Sequence, residues 1–512
     1  MRDSAPTSDA YARYVLGILV AVYVLNFLDR QILSILAERI KADLGVTDAQ
    51  IGFLYGTAFA VFYALFGIPL GRLADLWVRT RLIAAGLAVW SLMTAASAFA
   101  HGFVQLTAAR IGVGVGEASA SPAAFSLLSD YFPPTRRATV LAIYSSGIYI
   151  GAGLGLSVGG LIVERWDRAF PAGAVPLGLH GWQVAFLVVG LPGLLLALWV
   201  ATLREPRRGQ SEGGGEVAPH PRPFHAFALE LRAVLPPFTL LHLALVGGAS
   251  ALMRNLVAAL LIALTAAGLI AALGTPAQWI ALGIGAYAAV SWAQALALRD
   301  RAAYATIFRT PTLRYAAIGF ALLAFTGYGI GFWVPPYFIR VRGVGEAEVG
   351  LILGGGAAAA GWLGVTLGGV WADRWRQGSA AARFYVGIAA AVLPLPLVIG
   401  LLTTNSIALA FTLAVVANAG TSLWIGPGAS TVQDLVPPQL RATASAAYLL
   451  VVTFIGLALG PYTIGRLSVA LGDLRSAMLV ALVVNPVAVV MLLLAARHLP
   501  ADEARAKHRT TG

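Results

Sequence analysis

The chain has 512 residues, 59% of them apolar and only 11% charged, with a mean hydropathy of +0.80. Soluble domains carry roughly a quarter charged residues, so an ordinary soluble protein is excluded. The net charge of +12 is scattered over alternate loops rather than clustered as a nucleic-acid footprint, and the lack of cysteine rules out disulfides and cysteine-ligated metals.

A helix crossing a bilayer needs about 20 apolar residues, and runs of that length recur from end to end. Met1 to Tyr14 is polar and lacks the pattern of a cleavable signal peptide, so the first apolar run is expected to be the first span. Spans are predicted at 12–37, 49–74, 80–100, 103–131, 135–163 and 181–203. The hydrophilic stretch Arg204 to Pro223, centred on Ser211-Glu212-Gly213-Gly214-Gly215, reads as a flexible linker. A short apolar segment at 236–252, opened by Pro236-Pro237, is expected to lie in the interface or extend a helix. Two spans follow at 255–273, flanked by Arg254, and at 277–298. A second set falls at 311–340, 347–372, 382–403, 406–436, 438–465 and 475–497, before a polar tail.

The predicted fold is all-α and polytopic, with fourteen spans. A six-helix bundle covers 1–203, a linker with two extra spans 204–302, a second six-helix bundle 303–500 and a tail 501–512. Arginine gathers in alternate loops: Arg72, Arg79 and Arg81; Arg136 and Arg137; Arg204, Arg207 and Arg208; Arg299 and Arg301; Arg374, Arg376 and Arg383. The positive-inside rule makes those loops and both termini cytoplasmic. Opposite loops also hold cations (Arg39 and Lys41; Arg340 and Arg342), but acids accompany them.

The sequence repeats itself. Asp130-Tyr131-Phe132-Pro133-Pro134-Thr135-Arg136-Arg137-Ala138-Thr139 recurs as Asp434-Leu435-Val436-Pro437-Pro438-Gln439-Leu440-Arg441-Ala442-Thr443, identical at six of ten positions at an offset of 304. Gly71-x-x-Ala74-Asp75 recurs as Gly369-x-x-Ala372-Asp373 at an offset of 298. Gly45-Val46-Thr47-Asp48-Ala49-Gln50-Ile51-Gly52 recurs as Gly343-Val344-Gly345-Glu346-Ala347-Glu348-Val349-Gly350 at the same 298. Three matches in one order at nearly one spacing mark two parallel six-helix repeats.

That architecture resembles the major facilitator superfamily. Gly71-x-x-x-Asp75-x-x-x-Arg79-x-Arg81 is similar to its signature loop, with Val78 where a second glycine usually stands. Arg110-x-x-x-Gly114-x-Gly116 is similar to its fourth-helix signature. Within the superfamily, Asn26-Phe27-Leu28-Asp29-Arg30 and Gly114-Val115-Gly116-Glu117-Ala118-Ser119 resemble the spinster lipid transporters. Symporters of organic anions carry similar stretches. The two extra spans depart from the usual twelve.

Asp29 and Arg30 lie near the middle of the first apolar run, where a charge costs at least ~2.5 kcal/mol. Arg110, Gly114 and Glu117 follow i, i+4, i+7 and share one helix face. Projected through the repeat, Asp29 and Arg30 land on Gly327 and Tyr328, and Arg110 and Glu117 on Ala414 and Thr421. The second half keeps the scaffold motifs and lacks the buried charges, which favours function over scaffolding. A carboxylate beside a guanidinium can change its proton occupancy as a cavity wets and dries. Asp29 is therefore expected to be the main proton site, Glu117 its coupled partner, and Arg30 the anchor for an anionic substrate. Resemblance to the spinster proteins implies the same roles.

Substrate contacts are expected from Arg30, Arg110 and Glu117 on one side and from Tyr328, Trp333, Asn418 and Tyr448 on the other, with Tyr337 and Trp424 nearby. By resemblance, Asp75, Arg79, Arg81, Asp373 and Arg374 gate the cytoplasmic side. No phosphate-binding loop or histidine cluster is present, so neither metal nor cofactor is expected, and the lack of a catalytic constellation argues against an enzyme. The expected protein is a monomeric, proton-coupled transporter of an amphiphilic anion such as a lysophospholipid, in a bacterial inner membrane. Small organic anions and cationic drugs are the alternative substrates.

Overall fold

The computed structural model describes residues 8–171, 176–208, 210–212, 221–437 and 440–511. Among the described residues fourteen helices are long and apolar enough to cross a membrane, and they are numbered spans 1 to 14 in chain order. Spans 1 to 6 are Asp9–Leu44, Asp48–Leu76, Arg79–Ser97, Phe103–Tyr131, Thr135–Ala169 and Gly181–Ala201. Spans 7 and 8 are Phe238–Leu273 and Pro276–Arg299. Spans 9 to 14 are Pro311–Arg340, Glu346–Arg376, Ala382–Thr403, Ile407–Val432, Thr443–Leu471 and Leu474–Arg505. No strand occurs among the described residues.

Every predicted span is present, with differences in outline. Residues 236–252 extend span 7, which kinks at Gly248, where φ is 67°. A short helix, Arg301–Arg309, precedes span 9, its start capped by Asp300 accepting from the Ala303 amide at 2.8 Å. Several spans break inside the apolar run: span 2 at Gly56, span 4 after Glu117, and span 13 in a π-helical stretch at Val452–Ala458. The helix of span 14 runs on into the expected polar tail, where Asp502 accepts from the Thr312 amide at 2.9 Å.

The start of the expected linker is packed rather than loose. Glu205 accepts from Thr80 N at 3.0 Å, Arg208 donates to the carbonyls of Ala74 and Trp77 at 2.7 and 2.9 Å, and Arg137 donates to Ser211 at 2.8 Å. Carbonyls at a helix end need such donors, so this stretch finishes spans 2 and 3. The glycine-rich part, 213–220, lies outside the described residues.

Packing divides the chain into two compact units that do not follow chain order. Unit 1 holds Met1–Ile40, Phe62–Arg232 and Gly345–Gly354; unit 2 holds Lys41–Val61, Ala233–Val344 and Gly355–Gly512. The first part of span 2 is thus built into unit 2, and the first part of span 10 into unit 1. These are the repeated octets seen in the sequence.

In unit 2, a capping box starts span 2: Thr47 Oγ1 accepts from Gln50 N at 3.3 Å while Gln50 Oε1 accepts from Thr47 N at 2.9 Å. Asp48, buried, takes a bidentate pair from Arg340 at 2.6 and 2.8 Å, a bond from Ser468 at 2.7 Å, and the Lys41 ammonium. Gly52 and Gly56 lie against the backbone of Pro461 and Leu457, where a Cβ would collide. In unit 1 the copy does likewise. Glu346 pairs with Arg39 at 2.8 Å, and Gly350 and Gly354 lie against the backbone of Leu156 and Gly153. Lipid tails offer no hydrophobic drive between helices, so close backbone approach at small residues is what binds these segments.

Candidate functional site

The predicted charges of spans 1 and 4 meet in unit 1. Arg30 Nε donates to Glu117 Oε2 at 2.6 Å, and the guanidinium lies 4.8 Å from the ring centroids of both Phe27 and Tyr63. Asp29, fully buried, accepts from Thr94 Oγ1 at 3.2 Å, and Arg110 Nη1 reaches the Asp29 carbonyl at 3.5 Å. Arg110 also acts electrostatically on both carboxylates, and Glu117 on Asp29. Arg110 and Glu117 are each 1% exposed, so Arg110 does not reach out toward the membrane edge. Adjacent positions on span 1 do face separate partners, as their ~100° spacing requires.

Local sequence explains the placement. Gly116 packs against the backbone of Gly86 and Trp90, bringing span 4 onto span 3. The helix of span 4 ends at Glu117 and restarts at Ala120, so the carboxylate sits at a break. One oxygen of each acid, Asp29 Oδ1 and Glu117 Oε1, has no hydrogen-bond donor, although both are buried. Buried acceptors are almost always satisfied, and these two oxygens, like Asn26 Oδ1 one turn away, are exceptions.

Arg30, expected to anchor an anionic substrate, is paired with Glu117 in this structure. Tyr63 and Thr94 were not singled out by the sequence. Neither carries a signal of its own, because each matters only through the helix it faces.

Among the residues expected on the other side, Tyr328 is 40% exposed, while Tyr448 is buried with its hydroxyl unbonded. Phe320 stacks on Trp424 at 6.0 Å and meets Tyr448 edge-on at 6.5 Å. Two of the expected residues bond to helix backbone. Trp333 is fully buried and donates to Pro461 O at 2.8 Å, and Asn418 Nδ2 donates to Ala357 O at 2.9 Å. Both side chains use their polar atoms to tie helices together, and Tyr337 likewise donates to Leu402 O at 3.3 Å.

The five residues expected at the cytoplasmic gate differ among themselves. Asp75, Arg81, Asp373 and Arg374 are exposed. Arg79 is buried in unit 1, paired with Asp130 and with Glu205 at 2.6 Å, and donating to Ser126 at 2.9 Å and Pro206 O at 3.2 Å. Asp130 and Glu205 are partners the sequence reading left without a role, although Asp130 opens the repeated decamer. Among the described residues no group of three metal-binding side chains occurs.

The chain has known relatives. The sequence profile of the Major Facilitator Superfamily matches residues 19–461. An MFS-type efflux pump of Mycolicibacterium smegmatis is 26% identical over 89% of this chain and 84% of its own. Protein spinster of Drosophila melanogaster is 28% identical over 39% of this chain and 31% of its own, and the hexuronate transporter of Bacillus subtilis 32% identical over 36% and 40%. A bacterial homologue of the human lysosomal transporter Spinster, solved inward-facing and unoccupied, superposes with a TM-score of 0.74 at 26% identity, covering 97% of this chain and 99% of that one. With its paired six-span repeats and its spinster-like charges on spans 1 and 4, this chain belongs to the Major Facilitator Superfamily of membrane transporters.

Proposed function

We propose that the protein is a proton-coupled secondary transporter that moves an amphiphilic anion by alternating access. The observation that carries this reading is the buried ion pair of Arg30 with Glu117, beside buried Asp29 and Arg110. Two acids and two bases balance, so the set is formally neutral. An anion docking on Arg30 adds one negative charge where unpaired charge is strongly disfavoured. A proton taken by Glu117 or Asp29 restores neutrality, and its arrival at Glu117 also frees Arg30 for the substrate. Anion and proton are thereby linked by charge balance alone.

The amphiphilic class is supported by the apolar and aromatic groups around Tyr328, Tyr448, Trp424 and Phe320, and by the likeness to a spinster homologue. A small organic anion is the second reading, favoured by the 32% identity to a hexuronate transporter over 36% of this chain. The alternate arginine-rich loops support cytoplasmic termini in a bacterial inner membrane.

The test is flux in proteoliposomes, offering a lysophospholipid, a hexuronate or a cationic dye, with and without a pH gradient. Gradient-driven lysophospholipid flux that is lost in Asp29→Asn supports the proposal. Full gradient-driven flux in Asp29→Asn sinks the proton assignment, and hexuronate flux without lysolipid flux replaces the substrate class.

A further inference from the structure

Spans 7 and 8 form a hairpin that the transport reading leaves without a task. Its turn is sharp: Gly274 and Thr275 take φ of 72° and 53°, and Pro276 starts span 8. A buried polar network holds the two helices together. Asn255 donates to Ser291 and Gln294, each at 3.0 Å, and accepts from the Tyr287 hydroxyl at 2.6 Å; Thr239 donates to that hydroxyl at 3.2 Å. In lipid such bonds are glue, since an unsatisfied polar group has no water to turn to.

The hairpin is fastened to span 13. Arg466 Nε donates to Leu273 O at 3.0 Å, the Thr275 and Tyr462 hydroxyls bond, and Trp279 meets the Tyr462 ring edge-on at 5.6 Å. Gly285 lets span 8 settle against Phe454 of span 13 and Val61 of span 2. One further contact then links span 8 to span 2 at its break. Thr57, the residue after Gly56, has its Oγ1 2.7 Å from Gln278 Oε1 and 2.9 Å from Ala458 O, and all three residues are fully buried. A hydroxyl has one hydrogen and cannot serve two acceptors. Turning the Gln278 amide over places its Nε2, otherwise unbonded, against Thr57, whose own hydrogen then goes to Ala458. Ala458 closes the π-helical stretch of span 13, a kind of irregularity that often occurs at functional sites.

We propose that span 8 is an outer latch. Through Gln278 and Thr57 it clamps the first segment of span 2 onto span 13, and so restrains opening of the end of the molecule that carries the 45–47 loop. Separating span 2 from span 13 strands the amide, the hydroxyl and the Ala458 carbonyl at once. The hairpin thus sets how often that end opens, without touching the charged site. This role presumes alternating access, but its readout needs neither substrate nor a proton gradient, so its failure is distinct from failure of the transport assignment.

The chain has no cysteine, so a single introduced thiol is a clean reporter. Ala49, 2% exposed on the clamped segment, becomes Ala49→Cys in the full-length protein in proteoliposomes, probed with a membrane-impermeant maleimide. Gln278→Leu is expected to raise its labelling rate about tenfold, the loss of one buried hydrogen bond, and Thr57→Val, which also removes the bond to Ala458, at least as much. The double variant should match Thr57→Val alone, because that single already removes the link to Gln278. A cysteine at exposed Asn405 should label equally in every background. Unchanged Ala49→Cys labelling in Thr57→Val, which keeps the side-chain shape and so folds even where Gln278→Leu does not, overturns the latch; additive effects in the double variant overturn it too.

Discussion

Arg30 is held on three sides, by the Glu117 carboxylate and by the faces of Phe27 and Tyr63. A planar guanidinium satisfies all three at once, whereas an ammonium is a point charge on a flexible stem. Arg30→Lys is therefore expected to weaken binding of an anionic substrate about tenfold, since the cation–π contacts are each about 0.5–2 kcal/mol. Glu117→Gln should act in the opposite direction at neutral pH, tightening the anion by removing its competitor and flattening the pH dependence of binding. Titration calorimetry with a lysophospholipid across pH 5 to about 8, the window where an unperturbed carboxylate is ionised, would read both. An Arg30→Lys protein that binds as wild type removes the stacking argument. The charges themselves were legible as oddities in apolar runs, and the repeat showed that one half alone carries them. Which acid takes which base was not, because pairing depends on the relative rotation of helices whose partners lie 87 residues apart.

At the scale of elements, the glycines of span 4 do for spans 3 and 4 what side chains do in a water-soluble core. Gly116→Leu puts bulk against the backbone of Gly86 and Trp90, and overpacking of this kind costs about 1–3 kcal/mol. The expected outcome is a lower thermal midpoint in detergent and a weakened Arg30–Glu117 pair, whereas Gly17→Ala, which faces open space, leaves the midpoint in place. A thermal scan of the two variants decides it. Hydropathy located all fourteen spans, since crossing a bilayer is a composition problem. It did not locate the breaks at Gly56, after Glu117 or at Val452–Ala458. A break inside an apolar run changes no composition. Its cause is the neighbouring helix, which the local sequence does not contain.

For the whole molecule, the repeat predicted equal halves and the packing delivers two unequal fastenings. Asp48 is 5% exposed and takes four hydrogen bonds or ion pairs, while Glu346, itself 8% exposed, pairs with an Arg39 whose side chain is 43% exposed. Breaking a buried pair from one side costs roughly 3–5 kcal/mol and an exposed pair about 0–1, and solvent at Arg39 moves its pair toward the lower figure. Asp48→Asn should therefore lower the thermal midpoint far more than Glu346→Gln, although the two positions are copies of each other. Equal shifts would mean that burial does not separate them. The octets were visible as a repeat in the sequence; that each is packed into the other unit was not, since similarity between two segments says nothing about where either one docks.

That exchange bears on how the protein is made. Asp48 emerges from the ribosome 420 residues before Ser468, one of the groups that will satisfy it. At roughly 5–20 residues per second, span 2 waits on the order of 20–80 s for span 13 to be synthesised. Throughout that interval its bare glycine face has no native partner in the bilayer, and until Arg340 is made its Asp48 carboxylate has the Lys41 ammonium but not the bidentate guanidinium. The first six spans can insert as they are translated, but the first segment of span 2 is finished only when span 13 arrives. Biogenesis of this carrier is thus a closing step as much as an insertion, and an insertase that shelters a half-made span 2 is the assistance its architecture calls for.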